Sequence, residues 1–284
     1  MTESPRPSQR GQTSEDRART RLATSFGYQD VRPEDKPAMV GDLFARVADR
    51  YDLMNDLMSG GIHRLWKASM VDVLAPRPGM RMVDVAGGTG DIAFRVLDRL
   101  KGREGPPASR EDPPVSREDP PVSITVADIN PAMLAVGRDR AIDRNLLSGI
   151  DWIAADAERL PLESASMDAF TIAFGIRNVT HINRALEEAR RVLRPGGRFL
   201  CLEFSALEWR ELQPLYDAYS FTIVPWLGEQ IADDREAYQY LVESIRRFPD
   251  QKTFAAMIEA AGLSQVRCRN MTGGVAALHS AWRV

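Results

Sequence analysis

Cysteine is scarce in this chain. Cys201 and Cys268 are the only two in 284 residues. They fall in strand-like runs without C-x-x-C spacing, which predicts buried thiols in a reducing compartment. Histidine is nearly as rare. His63, His181 and His279 are scattered, and no local pattern gathers them as metal ligands, so no metal is expected. Long apolar runs are missing too. None approaches the roughly 18 residues that a membrane span needs. The net charge of −3 gives no reason to expect a polyanionic partner, so nucleic acid is not expected. With 44% hydrophobic and 27% charged residues, the composition is that of a soluble globular protein. The first residues lack the apolar core of a signal peptide. Glu3, Glu15 and Asp16 interrupt what would otherwise resemble an Arg/Ser-rich transit peptide. Residues 1–24 therefore read as a disordered tail, and residues 25–284 as a single domain.

What is present centres on Met82-Val83-Asp84-Val85-Ala86-Gly87-Gly88-Thr89-Gly90-Asp91-Ile92-Ala93. An apolar β-branched run ends at a carboxylate, a glycine-rich turn follows, and a helix starts near Asp91. This is the pattern of a nucleotide-type cofactor site at the end of the first strand of an open α/β sheet. Gly87, Gly88 and Gly90 permit close backbone approach. The helix start aims free amides at the turn, which suits an anion. Gly88 to Ala93 also fits a loose dinucleotide fingerprint. However, Asp84 and Asp91 flank the turn with carboxylates, which oppose a pyrophosphate but suit a sulfonium and an ammonium. The reading is S-adenosylmethionine, with its methionyl carboxylate at the helix N-terminus. An NAD-dependent oxidoreductase is the alternative.

Around this unit the chain alternates strands and helices. Residues 39–74 read as helical, with Leu43, Val47 and Tyr51 on one stripe and a break at Ser59-Gly60-Gly61. Residues 25–78 form an N-terminal helical lid in this reading. Between 109 and 122 the heptad Ser-Arg-Glu-Asp-Pro-Pro-Val occurs twice in succession, a composition with no core to bury. Residues 102–123 therefore read as a flexible insertion. Removing it brings Asp128 to 16 positions after Gly90, near the roughly 20 expected for a ribose-binding acid at the end of the second strand. Capping of the next helix is the competing role for Asp128. A third short strand ends at Asp156-Ala157, where a side-chain acceptor and a backbone amide would lie along an adenine, with capping again in competition. A fourth strand, 167–174, leads into Gly175-Ile176-Arg177-Asn178. A fifth strand follows a helix closed by Arg194-Pro195-Gly196-Gly197. Val266–Asn270 and Val275–Trp282 read as a terminal antiparallel hairpin. The expected fold is a mostly parallel sheet with one antiparallel strand.

These residues resemble the class I S-adenosylmethionine-dependent methyltransferases, and within them the ubiquinone/menaquinone biosynthesis C-methyltransferases. The resemblance runs from about Ser25 to the C-terminus, without the repeat. It rests on Phe26-Gly27-Tyr28, Tyr51 to Asp56, Gly61-Ile62-His63-Arg64-Leu65-Trp66-Lys67, Asp84 to Asp91, Ala127 to Pro131, Phe174 to Val179, Tyr238 to Leu241, Arg247-Phe248-Pro249 and Thr272-Gly273-Gly274. It implies a Rossmann-like seven-stranded sheet and cofactor contacts at Thr89, Asp128, Asp156 and Ala157, with Ile129 and Ala173 beside them. The family often has Asn where this chain has Asp156, which loses a donor, and Ser where it has Ala173, which loses a hydroxyl.

The implied reaction is C-methylation of a polyprenylated quinol. Arg177 and Asn178 follow the fourth strand, where Arg177 would hold the developing phenolate and Asn178 would position it. The competing reading of Arg177 is a structural ion pair. Tyr51 and His63 belong to the lid, and core packing competes at Tyr51. Asp91 through a water, or His63, are the candidate bases. The apolar stripe Leu212, Leu215, Tyr216, Tyr219 and Ile223, followed by Trp226, is either core or a slot for an isoprenoid tail. A peripheral position at the cytoplasmic side of an inner membrane (the matrix side in a mitochondrion), contact with other quinone-biosynthesis enzymes and a homodimer complete the expectations. A non-catalytic quinone-binding protein is the remaining alternative.

Overall fold

The computed structural model describes residues 13–48, 55–56, 58–102, 121–146, 148–208 and 234–284. Tyr51, most of the expected insertion and the stripe from Trp209 to Ile231 lie outside the described residues, as does the tail up to residue 12.

Seven strands form one sheet: β3 Arg81–Val85, β4 Ser123–Asp128, β5 Ile150–Ala154, β6 Met167–Ala173, β7 Leu193–Phe204, β8 Ser264–Met271 and β9 Ala276–Trp282. Their order is β5-β4-β3-β6-β7-β9-β8. The first five are parallel, and β9 runs antiparallel to both β7 and β8. The one reversed strand is the one expected from the terminal hairpin. A separate two-residue ladder, β1 Ser25–Phe26 with β2 Gln29–Asp30, lies near the start of the chain.

Alternation along the central strands feeds two apolar layers. Met82 and Val126 join α2 Lys36–Val47, α3 His63–Leu74, α4 Asp91–Lys101 and α7 Arg235–Arg247 on one face. Val83, Val85 and Ala127 join α6 Ile182–Val192 and α8 Gln251–Ala260 on the other. Helix α5, Pro131–Asp143, adds Leu134 to the first layer and is N-capped by Asn130, whose side chain accepts from the Ala132 amide.

The amino-terminal reading needs correction. Ser14–Ala23 is a helix, α1, opened by a Thr13/Asp16 capping box. Ala18 and Leu22 are buried, and Leu22 joins the second apolar layer. Lys36 Nζ donates to the Leu22 carbonyl at 2.7 Å and to the Val179 carbonyl at 3.4 Å, fastening α1 to the body. Burial lowers this lysine to about 8. The expected insertion boundary also moves. Val122 is buried and Ser123 begins β4, so the chain is already part of the core before Ile124. Cys201 is buried as expected, whereas Cys268 is exposed on edge strand β8. That edge carries a register shift between Ser264 and Arg267, with exposed arginines at 267 and 269.

The docking of α1 is testable. Leu22→Ala should cost about 2–4 kcal/mol of unfolding free energy, read in urea titrations. A disordered tail would give no change.

Candidate active site

The carboxyl ends of β3, β4, β5 and β6 meet at one edge of the sheet. Strand β3 lies between β4 and β6, so the direction of chain winding reverses there. Open α/β sheets bind ligands at such a point. Two clefts open there and share Ala86. One is lined by Pro37, Val40, Asp128, Ile129, Asp156 and Asn178, among others. The other is lined by Lys67, Asp84, Gly87, Thr89, Asp91 and Ala173. Helix α2 covers the first cleft, and Asn130 Nδ2 donates across to the Gly41 carbonyl at 3.0 Å.

The glycine turn is shaped by its neighbours. A Cβ on Gly87 would lie 2.8 Å from Asp84 Oδ2, and Gly90, at φ +80, has the Trp152 ring 2.5 Å from where its Cβ would be. Neither position admits a side chain. The strand ends are strained as well: Ala86 and Phe174 hold φ of 49 and 58, unusual for residues with a Cβ.

Asp128 anchors the first cleft. Its Oδ2 accepts the Gly88 amide at 2.9 Å and its Oδ1 accepts the Asn130 amide at 2.8 Å. Capping of α5 falls to Asn130, so the competing role for Asp128 is filled by another residue. Desolvation pushes Asp128 up to about 6. Each oxygen keeps lone-pair capacity toward the cleft. Asp156 turns one oxygen to the Glu158 amide at 2.9 Å and lines the cleft with Ala157 and the half-exposed Ile129. In the second cleft Thr89 is buried and accepts from Arg140 Nη1 at 3.1 Å.

Charge in the second cleft differs from the sequence expectation of two carboxylates alone. Lys67 Nζ lies 2.7 Å from Asp91 Oδ2, and Arg95 Nε lies 2.9 Å from Asp91 Oδ1. Desolvation raises Asp91, but the charges and hydrogen bonds of Lys67 and Arg95 outweigh it and hold the carboxyl below its usual range. Among the described residues Asp84 receives only the Thr171 hydroxyl, at 2.7 Å on Oδ1. Its Oδ2 is buried without a hydrogen-bond partner among the described residues. Desolvation pushes Asp84 up to about 7. Sequence reasoning missed Lys67. The available signal was a lysine on the buried stripe of α3, four residues after His63.

The structure places the catalytic candidates unequally with respect to the two clefts. Arg177 does not open onto either cleft. Its side chain is fully buried, with Nη1 donating to Glu203 Oε1 and to the Phe174 carbonyl, both at 2.6 Å. Desolvation raises Glu203 against that pairing. The guanidinium is held in a buried ion pair at the end of β7, with Nε and Nη2 buried and unpartnered among the described residues. His63 is buried and bound to Asp56 Oδ1 at 2.8 Å, and desolvation together with Lys67 lowers it. It lines neither cleft. Asp91 lines the second cleft, but both its oxygens are engaged by cations, which leaves a weak base. Asn178 does line the first cleft. Its Oδ1 accepts from the Tyr240 hydroxyl at 3.0 Å, leaving Nδ2 as a donor.

A sequence profile of the ubiE/COQ5 methyltransferase family matches residues 31–283. The chain belongs to that family. It is 53% identical over 262 residues to the ubiquinone/menaquinone biosynthesis C-methyltransferase UbiE of Brucella canis, covering 92% of this chain and 91% of that protein. It is also 53% identical over 260 residues to the mitochondrial 2-methoxy-6-polyprenyl-1,4-benzoquinol methylase of Oryza sativa subsp. japonica, covering 91% and 87%. The fold matches a SAM-dependent methyltransferase of Thermotoga maritima, with a TM-score of 0.53 at 18% identity over 86% of this chain and 99% of that one. It also matches one of Aquifex aeolicus, with a TM-score of 0.50 at 16% identity over 76% and 89%. The family is one of SAM-dependent methyltransferases, and the nicotinamide and non-catalytic alternatives give way. The site fits S-adenosylmethionine on its own terms. It offers a carboxylate with a free buried oxygen, a turn in which Cβ atoms would clash, and a second carboxylate at the end of β4.

Asp84→Asn tests the buried carboxyl. A carboxyl raised to about 7 in the folded state, against roughly 3.9 unfolded, stabilises the fold below that lower value. The contribution is lost as pH rises through the folded value. Between pH 5 and 8 the parent's Tm should therefore fall relative to the Asn variant. A constant difference would discount the shift. Arg177→Ala strands a buried Glu203 and should cost about 3–5 kcal/mol of stability. Arg177→Met with Glu203→Leu should recover most of it. Full stability of the Ala variant with lost turnover would instead return Arg177 to the substrate.

Proposed function

We propose that the chain transfers a methyl group from S-adenosylmethionine to a ring carbon of a polyprenylated quinol. The product would be a ubiquinone precursor, a menaquinone, or both. One observation carries this reading: 53% identity, over about nine-tenths of each chain, to proteins named for that step.

S-adenosylmethionine supplies an electrophilic methyl group on a sulfonium. The protein's task is to hold the acceptor carbon in line with it and to favour the phenolate that makes the carbon nucleophilic. Asp128 suits the two ribose hydroxyls. Asp156 and Ala157 suit the adenine, and Asp84 the methionyl ammonium. Asn178 Nδ2 suits the phenolate oxygen, because its Oδ1 is held by Tyr240. Among the described residues neither Asp91 nor His63 offers a free basic atom to the cleft, so in this reading the hydroxyl proton and the ring proton pass to water and the protein contributes orientation and phenolate stabilisation. The reaction needs the reduced ring, since an oxidised quinone carbon is itself electrophilic.

The acceptor's tail places the reaction at a membrane surface. Among the described residues no helix is long and apolar enough to cross a bilayer. We accordingly assign the protein a peripheral position at the cytoplasmic face of an inner membrane, with other quinone-biosynthesis enzymes and a second copy as candidate partners. A deletion strain should accumulate a quinone precursor one methyl lighter, resolved by mass spectrometry. The purified protein should turn over that precursor only with a reductant present. Equal turnover on oxidised and reduced acceptor would defeat the proposal.

A further inference from the structure

We propose that Lys67 recognises the α-carboxylate of the cosubstrate, and that Asp91 holds it ready to do so. This rests on the methyltransferase reading and deepens it.

Lys67 projects from α3 into the cleft shared by Asp84, Thr89 and the start of α4. Its side chain is 4% exposed. An ammonium carries three N–H donors. Among the described residues one hydrogen bond is made, to Asp91 Oδ2; the Phe174 ring lies 5.8 Å from Nζ, and the charge also acts on Asp84 and His63. A buried cation with donors to spare is costly unless something meets them. It is also the only cation among the described residues that line either cleft.

The surroundings sort a zwitterion. Asp84 Oδ2 is buried and unpartnered on one side, an acceptor for an ammonium. Lys67 faces the same cleft with donors unspent. The N-terminus of α4, whose first amides have no intrahelical partners, lines the same cleft and adds positive potential. An amino-acid group laid between them meets opposite charge at each end. A neutral or pyrophosphate-bearing group would not be matched in this way.

Asp91 explains why the cleft tolerates the lysine. It is anchored a second time by Arg95 at 2.9 Å, so it keeps a cation partner when Lys67 turns a donor to the ligand. Asp91 is then a positioning residue that stores Lys67 in the right place. That role is distinct from the base expected of it from sequence.

The decisive comparison is between S-adenosylmethionine and its decarboxylated analogue, which lacks only the α-carboxylate. Binding of both is measured by calorimetry to the parent, Lys67→Met and Lys67→Arg. The parent should prefer the intact cosubstrate by about 10–100-fold, the size of a charge-assisted hydrogen bond. Lys67→Met should erase most of that preference by weakening only the intact ligand, and Lys67→Arg should restore part of it. In turnover, the Met variant should raise KM for the cosubstrate more than it lowers kcat. A preference retained in Lys67→Met overturns the proposal, as does an equal loss for both ligands. If the Met variant fails to fold, a Lys67→Arg variant with no preference overturns it as well. Failure of the parent to bind either ligand would instead strike at the methyltransferase reading itself.

Discussion

Asp84, Asp128 and Glu203 are withdrawn from water at the ends of strands β3, β4 and β7. A carboxylate in a low-dielectric interior is expensive unless donors or cations answer it. Much of the local structure consists of those answers. Asp128 takes two backbone amides, and in doing so fixes the glycine turn against the start of α5. Glu203 takes Arg177, and that pair clamps the segment after β6 to β7. Asp84 is answered only in part, by one threonine hydroxyl and the charge of Lys67, and among the described residues its Oδ2 has no donor. The incompletely satisfied member sits where the methionyl group is assigned. The fold thus spends its donors on the two carboxylates that hold loops in place and leaves the third short of one.

The lid adds a second layer to the same logic. Helix α2 carries Leu43 and Val47 into the core, while Pro37, Val40, Gly41 and Phe44 line the cleft. Asn130 caps α5 and also reaches α2, so one side chain ties together the second strand end, its helix and the cover above them. Lys36 extends the tie to α1 and to the segment at Val179. Through these few polar bonds, the N-terminal helices and the sheet edge hold each other in register.

The sheet was readable because its signals are local. Each parallel strand is a short apolar run followed by a turn and a helix, and the spacing to Asp128 identified the second strand despite the repeat. The glycine turn was readable for the same reason. Helix α1 was not, because ten residues rich in charge bury only Ala18 and Leu22 and leave no apolar periodicity to detect. The partner of Arg177 was not readable, because Glu203 lies 26 positions away on another strand and no sequence window relates the two. Lys67 was overlooked since a single lysine on an amphipathic helix ordinarily reaches solvent along its stem. Only the tertiary approach of α3 to α4 shows that this one cannot.

The edge strand β8 has a consequence for how copies of the molecule meet. Its outer rim carries Arg267 and Arg269, and the ladder slips out of register between Ser264 and Arg267. A second copy adding a strand there in antiparallel fashion would bring arginines against arginines along a bent backbone. Continuous sheet growth from one molecule to the next is thereby discouraged at this rim. That repulsion guards against fibrous aggregation when the protein is concentrated.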